Sequence, residues 1–301
     1  MTVTGPIAAE ALGFTLIHEH LLLDLMRDAW IGNHILNDPE LTLLELQRYK
    51  DAGGVSVVDQ TNRGLGQDPL AVRDIAVRSG LHIVLGCGWY REPYYEPYLQ
   101  RWRTDQVADQ MVADVTAGID DSGVRAGIIG EIGAHATWIT PSEERVLRAA
   151  GRAHRRTGVT ITLHATRAPL GLEQLDILKE EGVDPRRVVV GHAQSYPFFE
   201  YHAEIARRGA FISFDRMGAT NRYDHHKTMR MVKAVLDAGL AANLVLSHDV
   251  CYRSDLVTYG GHGYAYISSQ LPAALREIGV GEDVFQQLMV DNPRRALSGE
   301  D

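Results

Sequence analysis

His18 and His20 stand two apart in the segment FTLIHEH (14–20). Four later apolar runs each end on one more side chain able to hold a cation: Glu131, His164, His192 and Asp249. Imidazole nitrogens and carboxylate oxygens are donors that zinc, manganese, cobalt or iron accept, and no thiolate stands among the six. Side chains two apart on a strand share a face, so both imidazoles of the first pair can reach one ion. Singly, each residue has an ordinary explanation: a hydrogen-bonded core histidine, a salt-bridged Glu131, an Asp249 that caps the following helix. Buried together without a cation between them, they would cost several kcal/mol per ionisable group.

Charge and position divide the labour. His18, His20 and Asp249 suit the more buried of two ions, His164 and His192 the more exposed one, and Glu131 the anionic bridge that keeps two dications close. Water between such ions has its pKa lowered towards neutrality and becomes a nucleophile, while the exposed ion polarises a substrate oxygen. Asp249, touching ion and hydroxide, can take the nucleophile's proton and pass it to the leaving group. The expected cofactor is a pair of divalent metal ions, Zn2+ first, with Mn2+, Co2+ or Fe2+ as alternatives. The expected partner is a small-molecule substrate.

The elements that must position these side chains are legible as an alternation. Strand-like runs rich in Val, Ile, Leu and Phe occupy 14–20, 55–61, 82–90, 126–133, 160–166, 188–194, 210–218 and 243–250. Continuous apolar runs of this length suit parallel strands buried on both faces. Between them lie helical segments. The clearest opens on Thr140-Pro141-Ser142-Glu143, a capping box with Pro at the first helical position. Val146, Ala149, Ala150 and Ala153 continue its apolar stripe, and Gly158 ends it. Further helices are expected over about 104–119, 170–181, 228–238 and 282–296, with a shorter link from Phe198 to Arg208. Eight strands alternating with helices predict an α/β fold of (β/α)8 TIM-barrel type, one domain over 1–301. A doubly wound open sheet is the alternative. It would carry a Gly-rich phosphate loop after its first strand, where this chain has His18-Glu19-His20. In a barrel the polar residues at the C-terminal strand ends share one rim, which brings the six together.

Bulk properties narrow the partners. The 301 residues are 45% hydrophobic and 23% charged, enough apolar material for a large core. A net charge of −9 argues against nucleic acid, which needs clustered Lys and Arg. No apolar stretch approaches the roughly 18 residues of a membrane span. The N-terminal MTVTGPIAAEALGF has no basic region followed by an apolar run, so no secretory signal is expected, and a cytoplasmic location is. Cys87 and Cys251 lie far apart and are expected to be free thiols.

The motifs resemble the phosphotriesterase-like family of the amidohydrolase superfamily, in order and through nearly the whole chain. GFTLIHEHLLLD resembles its first strand; GIIGEIG, TLHAT, VVVGHAQ and LSHDV resemble its metal-bearing strands four, five, six and eight. The stretch 259–297 is similar to its closing segment. The resemblance implies a binuclear centre on the residues above, and it allows a homodimer. Many members bridge the metals with a carboxylated lysine on strand four. Here Glu131 holds that place, and none of the four lysines, Lys50, Lys179, Lys227 and Lys233, falls at a strand end. The chain is thus most similar to the glutamate-bridged, phosphotriesterase-related branch.

Three residues resemble pocket positions of the family's lactonases. Arg216, after Asp215 at the end of strand seven, either contacts a substrate oxygen, holds a loop, or pairs with Asp215. Trp89 and Tyr90 resemble an aromatic pair that lines the pocket, with packing against the rim as the alternative. Cys251, two after Asp249, is expected to pack rather than react. His225, His226 and His262 lie in loops and are not expected to be ligands. The segment Arg91-Glu92-Pro93-Tyr94-Tyr95 is expected at the entrance or in a subunit contact. The leading expectation is hydrolysis of a lactone or carboxylic ester, with Asp249 as the catalytic carboxylate. Phosphotriester and N-acyl amide hydrolysis are alternatives, as is a small-molecule binding protein that keeps the barrel without turnover.

Overall fold

Strands that are apolar on both faces need cover on both, and a closed ring of parallel strands inside a coat of helices supplies it. The computed structural model of the chain describes residues 1–29, 32–218 and 222–300. Its main sheet has eight parallel strands in chain order: β1 (Thr15–Glu19), β2 (Ser56–Asp59), β3 (His82–Cys87), β4 (Ile128–Gly133), β5 (Ile161–His164), β6 (Val188–Gly191), β7 (Phe211–Phe214) and β8 (Leu244–Leu246). Apart from the half-buried His82, every residue in these strands is buried. β8 meets β1 through side chains and the backbone just beyond the strand. The Asp249 N–H donates to the His18 carbonyl at 3.1 Å, and Ser247 Oγ accepts from the His18 N–H at 3.0 Å. The fold is a (β/α)8 TIM barrel.

Helices α1 (Pro39–Asp51), α2 (Pro69–Ser79), α3 (Thr104–Thr116), α4 (Pro141–Thr157), α5 (Leu170–Glu180), α6 (Phe199–Arg207) and α7 (Arg222–Asp237) alternate with the strands. α4 is built as its sequence predicts. Thr140 Oγ1 accepts from the Glu143 N–H, the Glu143 carboxylate accepts from the Thr140 N–H, and Gly158 stops the helix at φ 73°. α1 and α2, which the hydrophobic pattern alone does not single out, each start at an Asp-Pro pair. The carboxylates of Asp38 and Asp68 accept from the N–H groups of Leu41 and Ala71. The helix expected over 282–296 is broken into Glu282–Gln286, a π-turn at Gln287–Asp291, and Asn292–Ser298. Pro293 has no N–H for an i→i−4 bond, and the wider turn before it absorbs that gap.

Ile17, Val58, Val84, Ile128, Val189, Phe211 and Val245, one from each of seven strands, form an apolar cluster of their own with Leu12 and Ala296. On β1 the pairing register with β2 slips between Leu16 and Glu19. Ile17 therefore joins the apolar cluster while the next residue, His18, joins the polar one described below, a use of a bulge common beside functional sites.

Candidate metal centre

The strand ends bring His18, His20, Glu131, His164, His192 and Asp249 into one buried cluster. His18 Nε2 lies 3.5 Å from Glu131 Oε2 and 3.7 Å from Asp249 Oδ1. His20 Nε2 lies 3.6 Å from Glu131 Oε1 and 3.4 Å from Asp249 Oδ1. On the other side His192 Nε2 is 3.4 Å from Glu131 Oε2, and the His164 and His192 rings are 4.6 Å apart. These separations are long for hydrogen bonds. They match the roughly 3.4 Å between ligand atoms that each sit about 2.1 Å from a tetrahedral ion. Among the described residues, the triads with ligand atoms within 4.8 Å of one another are His18–His20–Glu131, His18–His192–Asp249 and Glu131–His164–His192. Glu131 belongs to one triad with the first pair of histidines and to another with the second pair.

Each imidazole has one nitrogen held from outside the cluster. Asp215 accepts from His18 Nδ1 at 3.2 Å and from His192 Nδ1 at 2.8 Å. His20 Nδ1 is 2.9 Å from Thr61 Oγ1, and His164 Nε2 is 2.9 Å from the Tyr90 hydroxyl. The opposite nitrogens, Nε2 of His18, His20 and His192 and Nδ1 of His164, are left for the cluster. His18 Nε2, His164 Nδ1 and Glu131 Oε2 are buried with no hydrogen-bond partner. Such orphaned donors, fixed in tautomer by outer partners, are what a metal site requires.

The electrostatics ask for positive charge. Burial alone would raise the Glu131 pKa, but His18, His192 and His164 outweigh it and hold the carboxyl at about 2. Asp249 and Asp215 are likewise held below the usual carboxylate range by the imidazoles, despite burial, and Arg216 adds to this for Asp249. Burial opposes charge on His18, yet Asp215 and Glu131 raise it to about 9. His164 goes the other way, down to about 3, through burial and the neighbouring His192.

Several supporting residues were not singled out from sequence. Asp215, which the sequence offers only as a partner for Arg216, serves the two histidines instead, and its Oδ2 also accepts from the His192 N–H. β2 contributes no member of the cluster but steadies two of them, since Asn62 Nδ2 donates to the Glu131 carbonyl at 2.7 Å and Thr61 holds His20. Glu19, between the two histidines, accepts from Ser247 Oγ, the His248 and Val250 N–H groups and His248 Nδ1 at 2.8–3.0 Å. The one sequence signal for these residues was position at a C-terminal strand end.

A cavity of about 650 Å³ opens over the cluster, lined among others by Tyr90, Arg91, Pro93, Arg167, Arg216 and Cys251. Trp89 does not line it. Its ring is fully buried, with Nε1 donating to Glu96, because alternate residues of a strand-like segment face opposite ways. Arg216 donates through Nη1 to the Asp249 carbonyl at 2.8 Å and lies 3.3 Å from both Asp249 Oδ2 and Cys251 Sγ, so it ties the end of β7 to the loop after β8. Burial pushes the Cys251 thiol well above its ordinary pKa. His225, His226 and His262 stand outside both the cavity lining and the cluster.

A family model described as the phosphotriesterase family matches residues 1–297. The chain belongs to the phosphotriesterase family. The Escherichia coli (strain K12) phosphotriesterase homology protein is 32% identical over 284 residues, covering 93% of this chain and 96% of that protein. Its crystal structure, with phosphate in the active site, superposes with a TM-score of 0.91 over 95% of this chain and 98% of that one. The N-acetyltaurine hydrolase of Dictyostelium discoideum is 30% identical over 280 residues, 89% of this chain and 75% of that protein. A lactonase from Listeria monocytogenes is 27% identical with a TM-score of 0.92, covering 100% of this chain and 99% of that one. The family, the N-acetyltaurine hydrolase and the lactonase are hydrolases, and so is this chain. Among its described residues, no helix is long and apolar enough to cross a membrane.

Proposed function

We propose that the chain is a binuclear metal-dependent hydrolase, one barrel domain, that cleaves a lactone or carboxylic ester. The observation that carries the metal reading is the outward tethering of all four imidazoles, which leaves one nitrogen of each for the cluster that Glu131 and Asp249 complete. Two divalent cations, zinc first, held by His18, His20, Glu131, His164, His192 and Asp249, would supply Lewis acidity and water acidified towards neutrality. The chain's own residues do the rest. Asp249 stays anionic at neutral pH, the form that can accept the nucleophile's proton at Oδ2 and return it to the leaving oxygen. Arg216 keeps that carboxylate oriented. Tyr90, 7% exposed and facing the cavity, is placed to hydrogen-bond a substrate carbonyl beside His164.

Hydrolysis of a small N-acyl amide is a second reading, favoured by the similarity to an N-acetyltaurine hydrolase. The same proton path serves it, with Asp249 protonating a leaving nitrogen. A panel of aliphatic lactones, aryl esters, N-acetyl amino compounds and phosphotriesters, run with metal analysis, separates the readings. Lactones or esters are expected to give the highest kcat/KM, with metal retained and turnover reduced about 10²–10⁴-fold in Asp249→Asn. Higher kcat/KM on amides would replace the first reading by the second. No turnover on any member by the metal-loaded protein would leave a binding protein.

A further inference from the structure

We infer that Arg167, at the mouth of the cavity, binds an anionic group of the substrate, a carboxylate, sulfonate or phosphate remote from the scissile bond. The inference rests on the hydrolase reading above and adds the substrate's charge to it. Arg167 lies three residues after His164, in the loop between β5 and α5, with its side chain exposed and lining the cavity. Its backbone sits at φ 68°, in the left-handed region that disfavours side chains. The Arg167 N–H donates to Ser195 Oγ at 3.2 Å, which fixes the turn. Among the described residues, the non-glycine residues with positive φ are Asp120, Arg167, His192 and Asp249, and three of these line this cavity. Backbone strain kept at a binding site points to a side chain wanted there.

Charge gives the ligand its sign. The carboxylates lining the cavity are Glu131 and Asp249, both members of the cluster. Of the three lining arginines, Arg216 is engaged by Asp249, Asp255 and Cys251, and Arg91 lies over the rings of Tyr90 and Tyr94. Among the described residues, none forms an ion pair or hydrogen bond with the Arg167 guanidinium. The 11-residue helix α5 begins at Leu170, three residues further on, so the partial positive charge of its N-terminus belongs to the same loop. A guanidinium with its donors in water, on a cavity wall whose described residues offer no anion outside the cluster, matches the planar two-oxygen face of a carboxylate, sulfonate or phosphate.

The test uses matched pairs differing only in terminal charge: 3-acetoxypropanoate with 3-acetoxypropanamide, and N-acetyl-3-aminopropanoate with its amide. The wild-type protein is expected to prefer the anionic member about 10- to 100-fold in kcat/KM, through KM. In Arg167→Ala that ratio falls towards one, and in Arg167→Lys part of it remains. Sulfonate and phosphate analogues of equal length distinguish the three anions. A second arm is independent of turnover: calorimetric binding of the ketone 5-oxohexanoate against 5-oxohexanamide to the metal-loaded protein. Tighter binding of the acid in wild type but not in Arg167→Ala supports the inference even where no ester or amide is cleaved, which would be a failure of the hydrolase reading alone. Equal binding and equal turnover of the two members, or a preference that survives in Arg167→Ala, overturns it.

Discussion

Replacing Asp215 by asparagine separates what the carboxylate's shape does from what its charge does. Oδ2 receives the His192 backbone N–H at 2.8 Å and His18 Nδ1 at 3.2 Å, and Oδ1 receives His192 Nδ1 at 2.8 Å and Gln194 Nε2 at 3.0 Å. A backbone N–H cannot reverse its role, so in Asp215→Asn the amide oxygen must take the Oδ2 place and the NH₂ the Oδ1 place. His18 keeps its acceptor. His192 then faces a donor at Nδ1, and relieving the clash moves its proton to Nε2, the nitrogen that points at Glu131. A protonated Nε2 cannot bind a metal.

Loss of one charge-assisted hydrogen bond is worth about 1.5–3 kcal/mol. That converts to roughly 10- to 150-fold, in line with the 10- to 100-fold cost of removing an outer partner of a metal-bound histidine. Competition with a chromophoric chelator should therefore show one of two bound equivalents weakened by about 10- to 100-fold, the other less affected, and kcat lowered in parallel. Asp215→Asn protein that bound two equivalents with wild-type affinity would refute the tautomer argument.

Gly133 pairs in register with His164, and a Cβ built on it would come within 2.6 Å of His164 Cβ and 3.0 Å of its Nδ1. Gly133→Ala is expected to displace that imidazole, reduce metal content towards one equivalent by elemental analysis, and lower kcat at least about tenfold. Glu19→Ala strips four donors of a buried acceptor where β8 meets β1 and should cost about 3–5 kcal/mol in urea unfolding of the metal-free protein; a loss under about 1 kcal/mol would contradict that role. His262 lies against the rings of His248 and Tyr266 and the Gly263 carbonyl, with Glu19 and Arg216 nearby; burial first, then His248, hold its pKa down at about 4. The unfolded chain thus takes up the proton first, so stability present above about pH 6.5 is lost as pH falls towards 4. His262→Gln is expected to flatten the fall in Tm between about pH 7 and pH 5, and an unchanged slope would count against it.

The residues that sequence revealed and those it concealed differ in a physical way. The barrel was legible because burial on both faces forces unbroken apolar runs, and the six cluster residues were legible because each is the polar exception at the end of such a run. α4 was legible through its capping box, whereas α1 and α2 announce themselves only by Asp38-Pro39 and Asp68-Pro69, a cap signal that hydrophobic spacing does not contain. Asp215, Thr61, Asn62 and Glu19 also stand at strand ends, yet nothing in their type says whether they face an ion or the back of a histidine. That depends on register: the slip between Leu16 and Glu19 decides that His18 enters the cluster while Glu19 braces β8. Trp89 and Tyr90 are indistinguishable by type for the same reason, and it is Tyr90 that takes the cavity side. Chemistry that resides in a residue's type is thus readable in advance, but chemistry that resides in which of its two nitrogens or oxygens is already engaged is not. In this chain Asp215, Thr61 and Tyr90 engage one nitrogen of each of four histidines and leave the other for the cluster around Glu131.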